Sequence, residues 1–220
     1  MSKRQLNSNF RQRIKSVDPV NPDVSLVQDA AARIRDGGLV AFPTRGLYGI
    51  GADIYQPKAV SRVFQVKRRS PDKPISVLIQ SKSRLTDLAA EVPPEATRLM
   101  DRFWPGRITI VFAAQASVPV AITGNTGKIG IRMPEHPVAV ALLNELKNPI
   151  TGTSANLSGQ PGCAQIADVA VEIMTEMAMI LDAGQLLGGA GSTVVDVTTS
   201  PPTVVREGLV SCADIEKCLE

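Results

Sequence analysis

Histidine is almost missing from this chain: His136 is the only one in 220 residues, and it stands directly before Pro137. A zinc centre, or a triad with histidine as base, would have to be built on that single imidazole. His136 reads instead as a surface-loop residue. Cysteine is scarce too, and Cys163, Cys212 and Cys218 show no Cys-x-x-Cys spacing. An odd count without metal spacing argues for reduced thiols in a reducing compartment. No long hydrophobic run is present; "ITIVFAA", Ile108 to Ala114, is too short to span a bilayer. The basic start "MSKRQLNSNFRQRIKSVDPV" has no apolar core and no small-residue cleavage pattern, so it is not a secretory signal, and a cytoplasmic protein is expected. Internal repeats, a Walker loop and a Gly-x-Gly-x-x-Gly turn opening a helix after a strand are also missing.

What is present is an ordinary globular composition, 44% hydrophobic and 20% charged, in a chain long enough for a sizeable core. The net charge of +3 is unevenly spread. Lys3, Arg4, Arg11, Arg13 and Lys15 against Asp18 give residues 1–20 a charge of +4, so the other 200 residues sum to −1. A nearly neutral body argues against a plain double-stranded RNA binder, whose affinity rests on neutralising phosphates. Residues 1–20 are expected to form a flexible basic tail and residues 21–220 one domain.

Periodicity places helices over "NPDVSLVQDAAARIRDGG", with Asp23 as cap and Gly37 or Gly38 as terminator, and over "QPKAVSRVFQVKRR", with Pro57 in its first turn. Further helices are expected at "EATRLMDRFW", "PVAVALLNEL" and about 166–177. Strands are expected at "LVAFPT", "KPISVLIQ", "RITIVFAA", "KIGIRMP", "AMILDAG", "GSTVVDVT" and "PTVVREG". Several strands follow one another without a helix between them, which predicts an α/β fold with a mixed sheet rather than a doubly wound parallel one.

Three stretches offer chemistry. In the second helix Lys67 follows Val63 by four and Phe64 by three, so it projects from the buried face and must snorkel, pair or point into a cleft. A basic last turn complementing the helix dipole is the alternative. "TGTSANLSGQPG" supplies hydroxyls and an amide from Thr151, Thr153, Ser154, Asn156 and Ser158, with glycines that let backbone N–H groups turn toward an anion. An Asx-turn leaving a strand is the other reading of that loop. "PTRGLYGIG" looks like a strand end at Thr44 with a turn at Tyr48-Gly49, and strand-end loops often carry sites.

Taken in order, "FPT…YGIGAD", the Lys-x-Arg of Lys67 and Arg69, "IGIRMP", "TSANLSGQP", "GSTVVDVT" and "VVREG" resemble the YrdC-like family, from about Asp23 to about Ser211. That family makes threonylcarbamoyl-AMP for modifying a tRNA adenosine. The resemblance implies a YrdC-type twisted mixed sheet with flanking helices around a concave basic cavity. It implies that Lys67, Arg69, Ser154, Asn156 and Arg206 face ATP, with Lys67 and Arg69 central to catalysis, and that Thr44, Arg132 and Ser192 face threonine. Bicarbonate would be the third substrate, magnesium would travel with ATP, and t6A-transfer proteins would take the product; direct contact with tRNA or double-stranded RNA is left open. The chain departs from the family's usual residues at Arg45 and Gly46 (an acidic residue and threonine), Ser70 (proline), Lys73 (asparagine) and Leu78 (histidine). A YciO-like paralogue, binding nucleotide or RNA with weak or different activity, is the alternative.

Overall fold

The computed structural model of the chain describes residues 11–220. Among the described residues the first complete helix, α1 (Val24–Arg35), starts where the Asp23 carboxylate accepts from Ser25 N at 2.8 Å and Leu26 N at 3.1 Å. It stops before Gly37, whose φ of 81° favours glycine. The second, α2 (Pro57–Lys67), uses Pro57 as its first residue and buries Ala59, Val60, Val63, Phe64 and Lys67. The remaining helices are α3 (Leu85–Leu88), α4 (Pro94–Phe103), α5 (Val120–Thr123), α6 (Pro137–Leu146), α7 (Val171–Glu176) and α8 (Cys212–Leu219). His136 is not a free loop residue; its Nδ1 accepts from Val138 N at 3.3 Å and caps α6. Among the described residues no helix is long and apolar enough to cross a membrane.

The strands are β1 (Ile14–Ser16), β2 (Val40–Pro43), β3 (Tyr48–Gly51), β4 (Val77–Leu78), β5 (Ile108–Ala113), β6 (Lys128–Arg132), β7 (Ile150–Thr151), β8 (Thr153–Ser154), β9 (Met179–Asp182), β10 (Thr193–Asp196) and β11 (Thr203–Arg206). They divide between two mixed sheets, ordered β1-β9-β2-β3-β8 and β11-β10-β5-β6-β4-β7. The pivot between the sheets is short. β7 pairs with β4 in one sheet and β8 with β3 in the other, with only Gly152 between them. A Cβ at Gly152 would lie 2.8 Å from Leu78 Cδ2, so the crossing needs glycine for room.

Two hydrophobic clusters support this frame. The larger contains the buried face of α2 together with Tyr48, Ile50, Ile75, Val77, Ile110 and Ile131. The other sets Ala30, Ala31 and Ile34 of α1 and Leu142 and Leu143 of α6 against Val40, Phe42, Ile150 and Leu181. Small alanines on α1 allow the two helices to approach the sheet together.

Local structure differs from the sequence reading in several places. Residues 1–10 of the expected tail lie outside the described residues, but Ile14–Ser16 are a strand, paired in parallel with Ile180–Asp182. The expected Tyr48-Gly49 turn is strand β3. The reversal falls at residues 44–47, where Thr44 N and Thr44 Oγ1 both donate to Leu47 O, at 3.1 and 2.6 Å. The expected helix at 166–177 is a single 3-10 turn, Ile166–Asp168, followed by α7, because Val169 and Ala170 are extended between them. Ile166, Val169 and Ile173 are all buried, so their helical spacing comes from core contact rather than one continuous helix.

Candidate ligand site at the junction of the sheets

Where β7 and β8 pass between the sheets, the structure encloses a cavity of about 720 Å³. All eight residues singled out from the sequence border it: Thr44, Lys67, Arg69, Arg132, Ser154, Asn156, Ser192 and Arg206. Four of these are cations, and no carboxylate borders the cavity among the described residues.

The cations are held by backbone carbonyls. Arg68, with φ 48°, ends α2, and the Lys67 side chain turns under the 154–158 loop. Its Nζ donates to Asn156 O at 2.6 Å and to Ser154 O. The Lys67 backbone carbonyl accepts from Ser158 N at 2.8 Å, so one residue ties that loop at three points. Arg69 donates from Nε to Lys73 O (3.2 Å) and from Nη2 to Pro74 O (2.6 Å). Arg132 Nε donates to Gly106 O at 2.8 Å and Arg206 Nη2 to Ser192 O at 2.7 Å. None of the four makes an ion pair among the described residues.

Those surroundings show in the titration of the groups. Lys67 is only 2% exposed, and burial, with the charge of Arg69 adding to it, pushes its pKa down to about 8. Burial pushes Arg132 down to about 10; Glu135 opposes the shift and Arg206 adds to it. Arg69 is lowered by burial and by Arg206. Both arginines keep their charge at neutral pH. The cavity therefore concentrates like charges whose mutual repulsion an anion would relieve.

The polar neighbours are less open than the sequence implied. Ser154 Oγ donates to Asn156 Oδ1, and Asn156 Nδ2 donates to Leu157 O (2.9 Å) and Gln160 O (2.7 Å). Thr44 Oγ1 is engaged by Leu47 O, and Ser192 Oγ shares a 2.8 Å hydrogen bond with Thr109 Oγ1. Tyr48 is structural: it is fully buried, and its hydroxyl donates toward Asp182 Oδ1 (3.1 Å) and Gly184 O (2.7 Å).

Sequence reasoning missed the loop carrying Gly189, Ala190 and Gly191, which forms part of the cavity wall. Gly188 N donates to Gly46 O at 2.9 Å, and a Cβ at Gly46 would lie 2.6 Å from Gly188 O. The glycine at 46 is therefore the residue that lets this loop close on the 44–47 reversal. The run Gly188-Gly189-Ala190-Gly191 was the available signal. Ser158 Oγ, also in the wall, is buried and has no hydrogen-bond partner among the described residues.

Fold and site together make a mixed two-sheet α/β domain with four carbonyl-held cations at the sheet junction, an arrangement whose charge suits an anion. The chain belongs to the Sua5/YciO/YrdC family, described as "Telomere recombination", whose model matches residues 32–208. It is 40% identical over 193 residues to a protein of Pyrococcus abyssi (strain GE5 / Orsay) named threonylcarbamoyl-AMP synthase, covering 88% of this chain and 57% of that protein. This chain thus spans a little over half the length of that relative. A solved structure described as P. abyssi Sua5 complexed with L-threonine superposes with a TM-score of 0.89 at 38% identity, over 94% of this chain and 60% of that one. E. coli YciO superposes with a TM-score of 0.83 at 27% identity, over 92% of this chain and 98% of that one.

Proposed function

We propose that the chain is an L-threonylcarbamoyladenylate synthase, a nucleotidyltransferase that joins threonine, bicarbonate and ATP into threonylcarbamoyl-AMP and pyrophosphate. The observation that carries this reading is the set of four cavity cations held by carbonyls, with no carboxylate partner among the described residues. A cation whose hydrogen bonds go to neutral carbonyls keeps its charge available to a ligand, and this reaction brings a triphosphate and a carboxylate together. Lys67 and Arg69, with Ser154, Asn156 and Arg206, would face the nucleotide. Arg132, with Thr44 and Ser192, would face threonine.

The chemistry suits such a site. Bicarbonate takes up a proton and loses water to supply CO2; the threonine nitrogen bonds to its carbon and loses a proton, giving a carbamate. A carbamate oxygen then bonds to the α-phosphorus of ATP as the bond to the β-phosphate's bridging oxygen breaks, and pyrophosphate leaves with that electron pair. No protein nucleophile takes part, so positioning and charge stabilisation supply the catalysis. Magnesium would come with the triphosphate; among the described residues no group of three or more His, Cys, Asp or Glu is placed to hold a metal. The product would pass to t6A-transfer proteins acting on tRNA in the cytoplasm.

Higher identity to P. abyssi Sua5 than to E. coli YciO, 38% against 27% over the superposed chains, supports this reading over the paralogue. The test is product formation. Purified protein with ATP, magnesium, threonine and bicarbonate is expected to yield threonylcarbamoyl-AMP by mass spectrometry. Serine in place of threonine is expected to give partial turnover, since one missing methyl is worth only about 1–3 kcal/mol. ATP binding without product under any of these conditions would favour the paralogue.

A further inference from the structure

We propose that Arg45 is a positioning residue for the amino-acid end of the cavity: it holds Glu135 away from Arg132, leaving Arg132 free for a ligand carboxylate. The inference rests on the reading that Arg132 takes that carboxylate.

Arg45 sits in the 44–47 reversal, and its Nη1 donates to Glu135 Oε1 at 2.7 Å. Both side chains are roughly one-third exposed, at 32% and 29%. Glu135 lies three residues beyond Arg132, past the end of β6. Its carboxylate rests against Gly106, where a Cβ would lie 3.8 Å from Oε2. Gly106 is the residue whose carbonyl accepts from Arg132 Nε, so carboxylate and guanidinium both lie near the same glycine. Their charges interact, since Glu135 favours the charged form of Arg132. The order is thus Arg45, Glu135, Arg132: a cation, an anion and a second cation, with the anion claimed by the first.

Remove the Arg45 guanidinium and Glu135 loses its partner. Arg102 and Arg107 border the same outer hollow, but both are exposed and their attraction is screened by solvent. Arg132 is surrounded by more protein, where an ion pair is stronger. A carboxylate released from Arg45 would turn to Arg132 and compete with the ligand from within the chain. The cation at position 45, where the resembled family carries an acid, is then the partner that Glu135 requires.

The measurement is threonine binding by calorimetry on the full chain with ATP present and bicarbonate withheld, using Arg45→Ala, Glu135→Gln, the double variant and Arg132→Ala. Arg45→Ala is expected to weaken threonine binding about tenfold, as when the freed carboxylate occupies Arg132 in roughly nine molecules in ten. ATP affinity should stay within about twofold, the usual scatter for independent sites. Glu135→Gln removes the competing charge, so the double variant should bind threonine as the parent does. A merely structural Arg45 would not be rescued this way. The inference is overturned if Arg45→Ala leaves threonine binding intact while Arg132→Ala weakens it, or if the double variant is as weak as Arg45→Ala. If Arg132→Ala itself binds threonine normally, the reading beneath the inference fails, and the inference with it.

Discussion

Arg132→Ala is expected to weaken threonine binding by about 2–5 kcal/mol, the usual cost of removing one partner of an enclosed charge pair. The amino acid would lose the cation assigned to its carboxylate, while Lys67 and Arg69 would remain for the nucleotide. The change should therefore fall on the threonine requirement and leave the ATP requirement nearly untouched. The side chain's own tie to the fold is a single 2.8 Å bond to Gly106 O. Losing that one bond is worth about 0.5–1.5 kcal/mol of stability, so the variant should stay folded. Titration of each substrate at saturating levels of the other checks it. Equal losses for both substrates would mean that Arg132 serves the cavity as a whole rather than one ligand.

The second large effect is expected at Lys67. Lys67→Ala should weaken ATP binding roughly ten- to a hundredfold, since a charge-assisted contact is worth about 1.5–3 kcal/mol. Part of the loss is direct. Part comes through Ser154 and Asn156, whose carbonyls lose the ammonium that holds their loop against α2. A pH signature separates this from general damage. With its pKa held near 8 by burial, Lys67 should lose charge as pH rises past 8, and ATP affinity should fall over the same range. The fall should vanish in Lys67→Ala. Stability should move the other way. The folded-state pKa lies below the ordinary 10.5, so between about 8 and 10.5 the unfolded chain binds more protons, and this group's contribution to stability rises with pH. Loss of ATP affinity above pH 8 therefore cannot be ascribed to Lys67 unfolding the chain. Unchanged affinity in a folded Lys67→Ala protein would reduce the residue to a strut beneath the 154–158 loop.

Much of the frame was legible because its signals are local. The apolar stripe Val24, Val27, Ala31 and Ile34 marks one helix, although Val24, in its first turn, is exposed rather than buried; Asp23 and Gly37 mark its ends, and Val60, Val63, Phe64 and Lys67 mark another helix face. Strand β1 was hidden because Ile14-Lys15-Ser16 offers a single apolar residue, and its pairing partner lies far along the chain at Ile180–Asp182. Glycines at 49 and 51 made β3 look like a turn, although Gly49 pairs with Phe42 and Gly51 with Val40. The division into two sheets depends on the room left by Gly152 beside Leu78, a contact that periodicity cannot express.

The candidate site divides in the same way. Motif order was enough to gather eight residues that border one cavity. It did not reveal that Lys67 spends two donors on the 154–156 carbonyls, that Asn156 is folded back on its own loop, or that Gly188 O excludes a side chain at position 46. Nor did it pair Arg45 with Glu135, 90 residues away. Each of these depends on long-range packing, which residue type and spacing do not encode.

In the proposed reaction one cavity holds triphosphate and amino acid at opposite ends, with the amine turned toward the α-phosphate. A crystal structure of the chain with a non-hydrolysable ATP analogue and threonine tests it most directly. Phosphate oxygens are expected on Lys67, Arg69 and the 154–158 loop, the threonine carboxylate on Arg132, and the amine facing the α-phosphorus across a gap the size of CO2. Phosphates bound elsewhere, or threonine absent from the Arg132 end at saturating concentration, would contradict it.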